Sequence, residues 1–207
     1  MAEGHIGVDE SGKGDYFGPL VIAACYVGSE HLAELDGVKD SKKLTDKQSL
    51  AIAARIRATC PHSIISIGPA KYNELYGKFR NLNKLLAWGH ARAIENVLEV
   101  QPSELVISDQ FADPAGLKKQ LFEKGQQIRL ESRVRAESDI AVAAASILAR
   151  AEFLRRLAAL GEQFGMELPK GAGSPVLVAG KKFVTTIGVE KLGEVAKLHF
   201  KTTQQVS

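Results

Sequence analysis

The 207-residue sequence predicts an α/β fold, organised as one domain over residues 1–207. Three observations carry that expectation. Short apolar runs alternate with longer segments of helical spacing. A composition of 45% hydrophobic and 25% charged residues is that of an ordinary globular domain able to bury a core. Neither a repeat nor a low-complexity linker divides the chain.

The first strand is expected around His5–Val8 and the second at Leu20–Val27, joined by a turn rich in glycine and acid. Asp46–Thr59 reads as a helix, and Ile64–Ile67 as a third strand. In Leu82–Leu98, the residues Leu82, Leu85, Leu86, Gly89, Ala93, Ile94, Val97 and Leu98 return to one broad face, which predicts a core-packed helix. Glu104–Ser108 is a fourth strand candidate and Gln127–Glu131 a weaker fifth. An alanine-rich helix is expected after Asp139, through Arg150. Gly165–Pro175 reads as a loop and Val189–Phe200 as an amphipathic helix, whose Lys191, Lys197 and Lys201 either solubilise it or line a nucleic-acid surface.

A formal net charge of +3 says little about partners. Local groups say more: Lys39, Lys42 and Lys43 form one basic cluster, and Arg129, Arg133 and Arg135 another. Cys25 and Cys60 fit neither a zinc motif nor a disulfide scaffold, and Cys25, inside an apolar run, reads as a buried thiol. With no signal-peptide pattern and no apolar segment of membrane-spanning length, a soluble cytoplasmic protein is expected, with no membrane contact. No obligate protein partner is indicated, and a monomer is expected.

The chemistry gathers around acids. Val8-Asp9-Glu10-Ser11-Gly12-Lys13-Gly14-Asp15 sets an acid pair before a lysine flanked by glycines. Read alone, it is either a polar hairpin turn or the start of a metal and phosphate site. Asp109 follows the apolar stretch Leu105–Ser108, where a strand end would deliver a carboxylate into a cleft; the other reading is a solvated turn acid. Asp139 starts the alanine-rich helix, as a cap favoured by the helix dipole or as a ligand held by a firm backbone. Four such acids together call for cations, and hard oxygen donors suit Mg²⁺ or Mn²⁺. Two ions roughly 3.5–4 Å apart would serve phosphoryl displacement. His62, His90 and His199 share no spacing that suggests a site and read as packing or surface residues, and Trp88 as the edge of the core.

The blocks DESGKGDYFGPLV, DSKKL, YNELYGKFRNLNKLLAWGHARAIEN, ISDQF, AESDIAVAAASILAR, MELPKGAG and VEKLGEVAKLHF, in that order, resemble ribonuclease HIII of the type 2 ribonuclease H family over nearly the whole chain. The resemblance implies a ribonuclease H-like mixed β-sheet flanked by α-helices, with a C-terminal helical extension. It implies endonucleolytic cleavage of the RNA strand of RNA/DNA hybrids by two metal ions, leaving 5′-phosphate and 3′-hydroxyl ends. It puts the catalytic and metal-binding acids at Asp9, Glu10, Asp109 and Asp139. In finer detail, Asp9 and Asp109 would anchor the metal pair, Glu10 would serve the leaving-group side and Asp139 the attacking water. Gly12, Lys13 and Gly14 match the family's substrate loop, whose backbone meets RNA hydroxyls and whose lysine meets a phosphate. Lys42, Lys43 and Lys170 would steady the nucleic-acid backbone.

Two departures refine the resemblance. Ribonuclease HII has arginine where this sequence has Lys13, and a glycine–tyrosine–glycine feature where it has Gly171-Ala172-Gly173. Both favour ribonuclease HIII and cleavage within longer RNA tracts over a single embedded ribonucleotide. Ribonucleases HIII commonly carry an extra N-terminal substrate-binding domain. DESGKG lies too close to Met1 to leave room for one, so weaker hybrid affinity is expected.

Overall fold

The computed structural model describes residues 4–38, 44–109, 114–133 and 136–207, with the side chains of Pro114, Ala115 and Glu137 excepted. Two compact units emerge, each assembled from separate stretches of chain. One comprises Met1–Glu10, Ile22–Ile65 and Asn81–Ala151; the other Ser11–Val21, Ser66–Arg80 and Glu152–Ser207.

A mixed five-stranded sheet dominates the first unit. Its strands are β1 (His5–Ser11), β2 (Leu20–Val27), β3 (His62–Ile67), β4 (Leu105–Asp109) and β5 (Arg129–Arg133), in spatial order β3-β2-β1-β4-β5. All five strand expectations hold, with ends displaced by a few residues. All eight residues of β2 are buried, which explains its uninterrupted apolar run. β1 and β4 pair in parallel, as do β4 and β5, so the ends of β1 and β4 emerge on one edge of the sheet.

Helices α1 (Asp46–Thr59) and α3 (Leu82–Val100) begin with side-chain caps. Thr45 Oγ1 accepts from the Gln48 amide at 3.2 Å while Gln48 Oε1 accepts from the Thr45 amide at 2.9 Å, a reciprocal capping box. Asn81 Oδ1 accepts from the amides of Asn83 and Lys84. Gly89 lets α3 approach the sheet closely: a Cβ there would lie 2.5 Å from Ile22 Cδ1. A short α4 (Pro114–Gln120) follows β4. Cys25 is buried as expected, and both cysteines are free thiols.

The long α5 (Ile140–Gln163) begins where the alanine-rich stretch predicts but runs well past Arg150. In the second unit stand α2 (Pro69–Phe79), α6 (Ser174–Thr186), α7 (Leu192–Val195) and α8 (Thr202–Val206). The loop expected over Gly165–Pro175 ends at Gly173, because Pro175 occupies the first turn of α6, where a missing amide costs nothing.

The helix expected over Val189–Phe200 does not form as one piece. A 3-10 turn at Val189–Lys191 leads into the single turn of α7, and the chain then extends. Tertiary hydrogen bonds outweigh the local periodicity here. Asn73 of α2 donates to the carbonyls of Gly193 and Ala196 and accepts from the Leu198 amide, while Ala196 bridges to Phe17. Lys197, read from sequence as a surface cation, is fully buried.

Candidate active site

The two faces of β1 build the site from opposite sides. Alternation along a strand puts His5, Gly7 and Asp9 on one face, and Ile6, Val8 and Glu10 on the other. The first face lies along the start of α5. Gly7 makes that possible, since a Cβ there would stand 2.1 Å from both the Ala141 carbonyl carbon and the Val142 nitrogen. Close approach at Gly7 sets Asp139, at the head of α5, above β1. His5 Nε2 lies 2.9 and 2.8 Å from the two Asp139 carboxylate oxygens.

Asp139 also caps α5, accepting from the amides of Ala141 and Val142 at 3.0 and 3.1 Å. The cap and ligand readings of this residue therefore do not compete. Burial by itself would raise the Asp139 carboxyl, but the His5 hydrogen bond, the Val142 amide and the His5 charge together hold it below the ordinary value.

On the same face of the sheet, Asp9 is 8% exposed. Burial, then the adjacent Glu10 charge, raise its carboxyl from 3.8 to about 8. The Glu10 amide, which donates to Asp9 Oδ1 at 2.8 Å, and the Ser146 hydroxyl on α5 oppose the rise, while Asp109 adds to it. The parallel register pairs Val8 with Ser108, and one further step brings Asp9 beside Asp109 at adjacent strand ends. Asp109 Oδ1 accepts from the Ala136 amide at 3.3 Å.

The opposite face of β1 turns towards α3. There the fully buried His90 places Nε2 3.0 Å from Glu10 Oε2. His90 is buried, as the packing reading expects, and it also faces one of the four acids. His5, which the sequence reading passed over, faces another. His62 instead bonds the Cys60 carbonyl, and His199 is an exposed ring stacked on Tyr76. The available signal for His90 was a polar residue on the apolar face of an amphipathic helix; its partner, 80 positions away, left no trace in the sequence.

Asp9, Glu10 and Asp109 thus share one electrostatic neighbourhood, with Asp139 tied to the same strand through His5. Among the described residues, no three His, Cys, Asp or Glu side chains form a ready-made metal cage. The donor chemistry nevertheless suits a hard cation. A carboxyl raised by burial and by neighbouring negative charge is what a divalent ion would return to its ionised form.

The described substrate candidates fall in the second unit. Gly12, Lys13 and Gly14 belong to the second unit, as does the exposed Lys170. Gly12 has φ +86° and a Cβ there would stand 2.2 Å from the Pro19 carbonyl oxygen, so only glycine fits. Lys39, Lys42, Lys43 and Arg135 lie outside the described residues.

Known proteins match this chain throughout. The sequence profile of the family described as Ribonuclease HII matches residues 6–203. A ribonuclease HIII of Protochlamydia amoebophila is 47% identical over 204 residues, covering 98% of this chain and 68% of that protein. One from Chlamydia pneumoniae is 48% identical over 206 residues, covering 97% and 69% respectively. Among solved structures, Bst-RNase HIII in complex with Mn²⁺ superposes with a TM-score of 0.91 at 37% identity, covering 99% of this chain and 69% of its own. The fold is therefore ribonuclease H-like, and the chain belongs to the ribonuclease HII family, with ribonucleases HIII among its relatives.

Proposed function

We propose that this chain is a divalent-metal-dependent endoribonuclease that hydrolyses the RNA strand of RNA/DNA hybrids, leaving 5′-phosphate and 3′-hydroxyl ends. The observation that carries the reading is the acid group at the ends of β1 and β4, with Asp9 buried within it, in a chain of the ribonuclease HII family. In this reading the 207 residues act as one catalytic domain, working as a monomer in the cytoplasm.

Asp9, Glu10, Asp109 and Asp139 would hold Mg²⁺ or Mn²⁺, the relative solved with Mn²⁺ supporting a divalent ion. Two such ions, when bound, would activate water and neutralise charge at the scissile phosphate. Asp9 and Asp109, at adjacent strand ends, would anchor the metal. Glu10 would serve the leaving-group side, its carboxylate oriented by His90. Asp139 would serve the side of the attacking water, its angle set by His5 and by its cap on α5. Outer partners of this kind fix ligand orientation.

Gly12 and Gly14 would present backbone groups to RNA 2′-hydroxyls, and Lys13, Lys170, Lys42 and Lys43 would meet phosphates. Ala172 offers no ring to pack at an RNA–DNA junction, which favours cleavage inside RNA tracts.

The test is cleavage of a labelled RNA/DNA hybrid in Mg²⁺ and in Mn²⁺, beside an all-DNA duplex and a duplex with one ribonucleotide. The long RNA tract should be cut preferentially, and Asp139→Asn should abolish cutting while the fold is retained. Folded wild-type protein that cuts nothing with either metal would overturn the reading. Equal cutting of the all-DNA duplex would make it a general nuclease.

A further inference from the structure

The second unit contains a lysine whose placement the proposed chemistry does not use. Lys197 is fully buried, in the segment whose helical spacing the fold overrides. Its Nζ donates to the Asp15 carbonyl at 2.7 Å and to the Gly18 carbonyl at 2.8 Å, and stands 5.7 Å from the Tyr72 ring centre. Its own amide donates to the Tyr16 carbonyl at 2.9 Å. Burial pushes the Lys197 ammonium down to about 7, partly opposed by the Asp15 charge. Burying an ammonium is costly, and an apolar side chain would fill the space more cheaply.

What the ammonium holds explains its presence. Asp15 and Gly18 close the loop that carries Gly12, Lys13 and Gly14. That loop is joined to Lys170–Gly173 by a reciprocal pair of bonds: Gly171 donates to Asp15 Oδ1 at 2.6 Å, and Tyr16 donates to the Gly171 carbonyl at 2.9 Å. Gly171 has φ +84°, a conformation that favours glycine at this junction. Lys13 and Lys170 therefore sit on two loops fastened at their bases, each within two residues of the fastening.

We infer that Lys197 is a positioning residue: it braces the Asp15–Gly18 backbone so that the Asp15–Gly171 clasp presents Lys13 and Lys170 as one phosphate-gripping pair for the nucleic-acid backbone. The inference rests on the hybrid-binding part of the proposed function. Lys197 does not touch substrate; it fixes the spacing of two cations that do. Pre-ordered cations bind with less loss of side-chain freedom than independent ones.

The decisive variant is Lys197→Met, which keeps the stem and removes the ammonium. Three readouts on the 207-residue chain are expected to move together. Amide exchange at Tyr16 and Gly171 should accelerate, and KM for a labelled RNA/DNA hybrid should rise about tenfold with kcat within about twofold. The slope of log affinity against log salt should fall by roughly one to two, since up to two phosphate contacts are lost. If Lys197→Met does not fold, Asp15→Ala opens the clasp from its other side and should give the same three changes. Asp15→Asn, which keeps an oxygen for the Gly171 amide, should rescue them. Faster exchange with KM and salt slope unmoved would overturn the positioning role, and unchanged exchange would overturn the clasp itself. Exchange and affinity need no turnover, so wild-type protein that binds hybrid without cutting it would sink the nuclease reading and leave this test standing.

Discussion

At the scale of single residues, Asp9 gives the sharpest pH signature. Folding raises its carboxyl from 3.8 to about 8, so the folded chain keeps a proton that the unfolded chain has already released. The associated stability is complete below the unfolded value and is lost as pH rises through about 8. Thermal melting of the metal-free protein should therefore weaken across that window. Asp9→Asn should flatten that dependence, and divalent metal should restore the wild type at the alkaline end. A pH-independent wild-type difference between the two proteins would contradict the assignment. His90 and His5 act one step out from the acids. Replacing His90 with Leu should lower metal affinity or kcat by roughly 10- to 100-fold, read by metal titration of activity. The sequence offers the four acids as candidates because strand ends and a helix start frame them. It hid the histidines, because His5 and His90 gain their meaning only from partners 134 and 80 positions distant.

At the scale of elements, the seam between β1 and α5 governs the site. Gly7→Ala would drive a methyl group into the backbone of Ala141 and Val142, and backbone cannot rotate aside as a side chain can. The expected cost is about 1–3 kcal/mol or more by urea denaturation, with activity lost beyond that predicted from stability alone. Normal activity in a folded Gly7→Ala variant would show that Asp139 is not set by this seam. Strands were legible because alternation and buried apolar runs are local properties, and α1 and α3 because their caps and faces are local too. The segment at Val189–Phe200 was misread because its spacing is helical, yet Asn73, Phe17 and the buried Lys197 draw it into an extended path. The helices α2 and α6 are not legible for a related reason: each carries a proline in its first turn, a residue more familiar as a breaker than as a first-turn former.

At the scale of the whole molecule, a net charge of +3 conceals a division. The first unit has 15 Lys and Arg against 17 Asp and Glu, the four candidate ligands among them; the second has 12 against 7. Because each unit is stitched from separate stretches, no window along the sequence displays the contrast. Cleavage and hybrid binding should respond to different agents. Chelation of divalent metal should stop cleavage while leaving hybrid binding largely intact, and added salt should weaken binding steeply. Filter binding and cleavage assays run side by side would show the split; loss of both on chelation would mean that metal also carries the affinity.

The position of β1 in the sheet has a consequence for the growing chain. β1 is translated roughly a hundred residues before its neighbour β4, and Asp139 follows later still. At about 5–20 residues per second, one long edge of the central strand waits roughly 5–20 seconds for its partner. Asp9 and Glu10 are thus translated well before Asp109 and Asp139, and the candidate acid group can assemble only after the head of α5 has emerged.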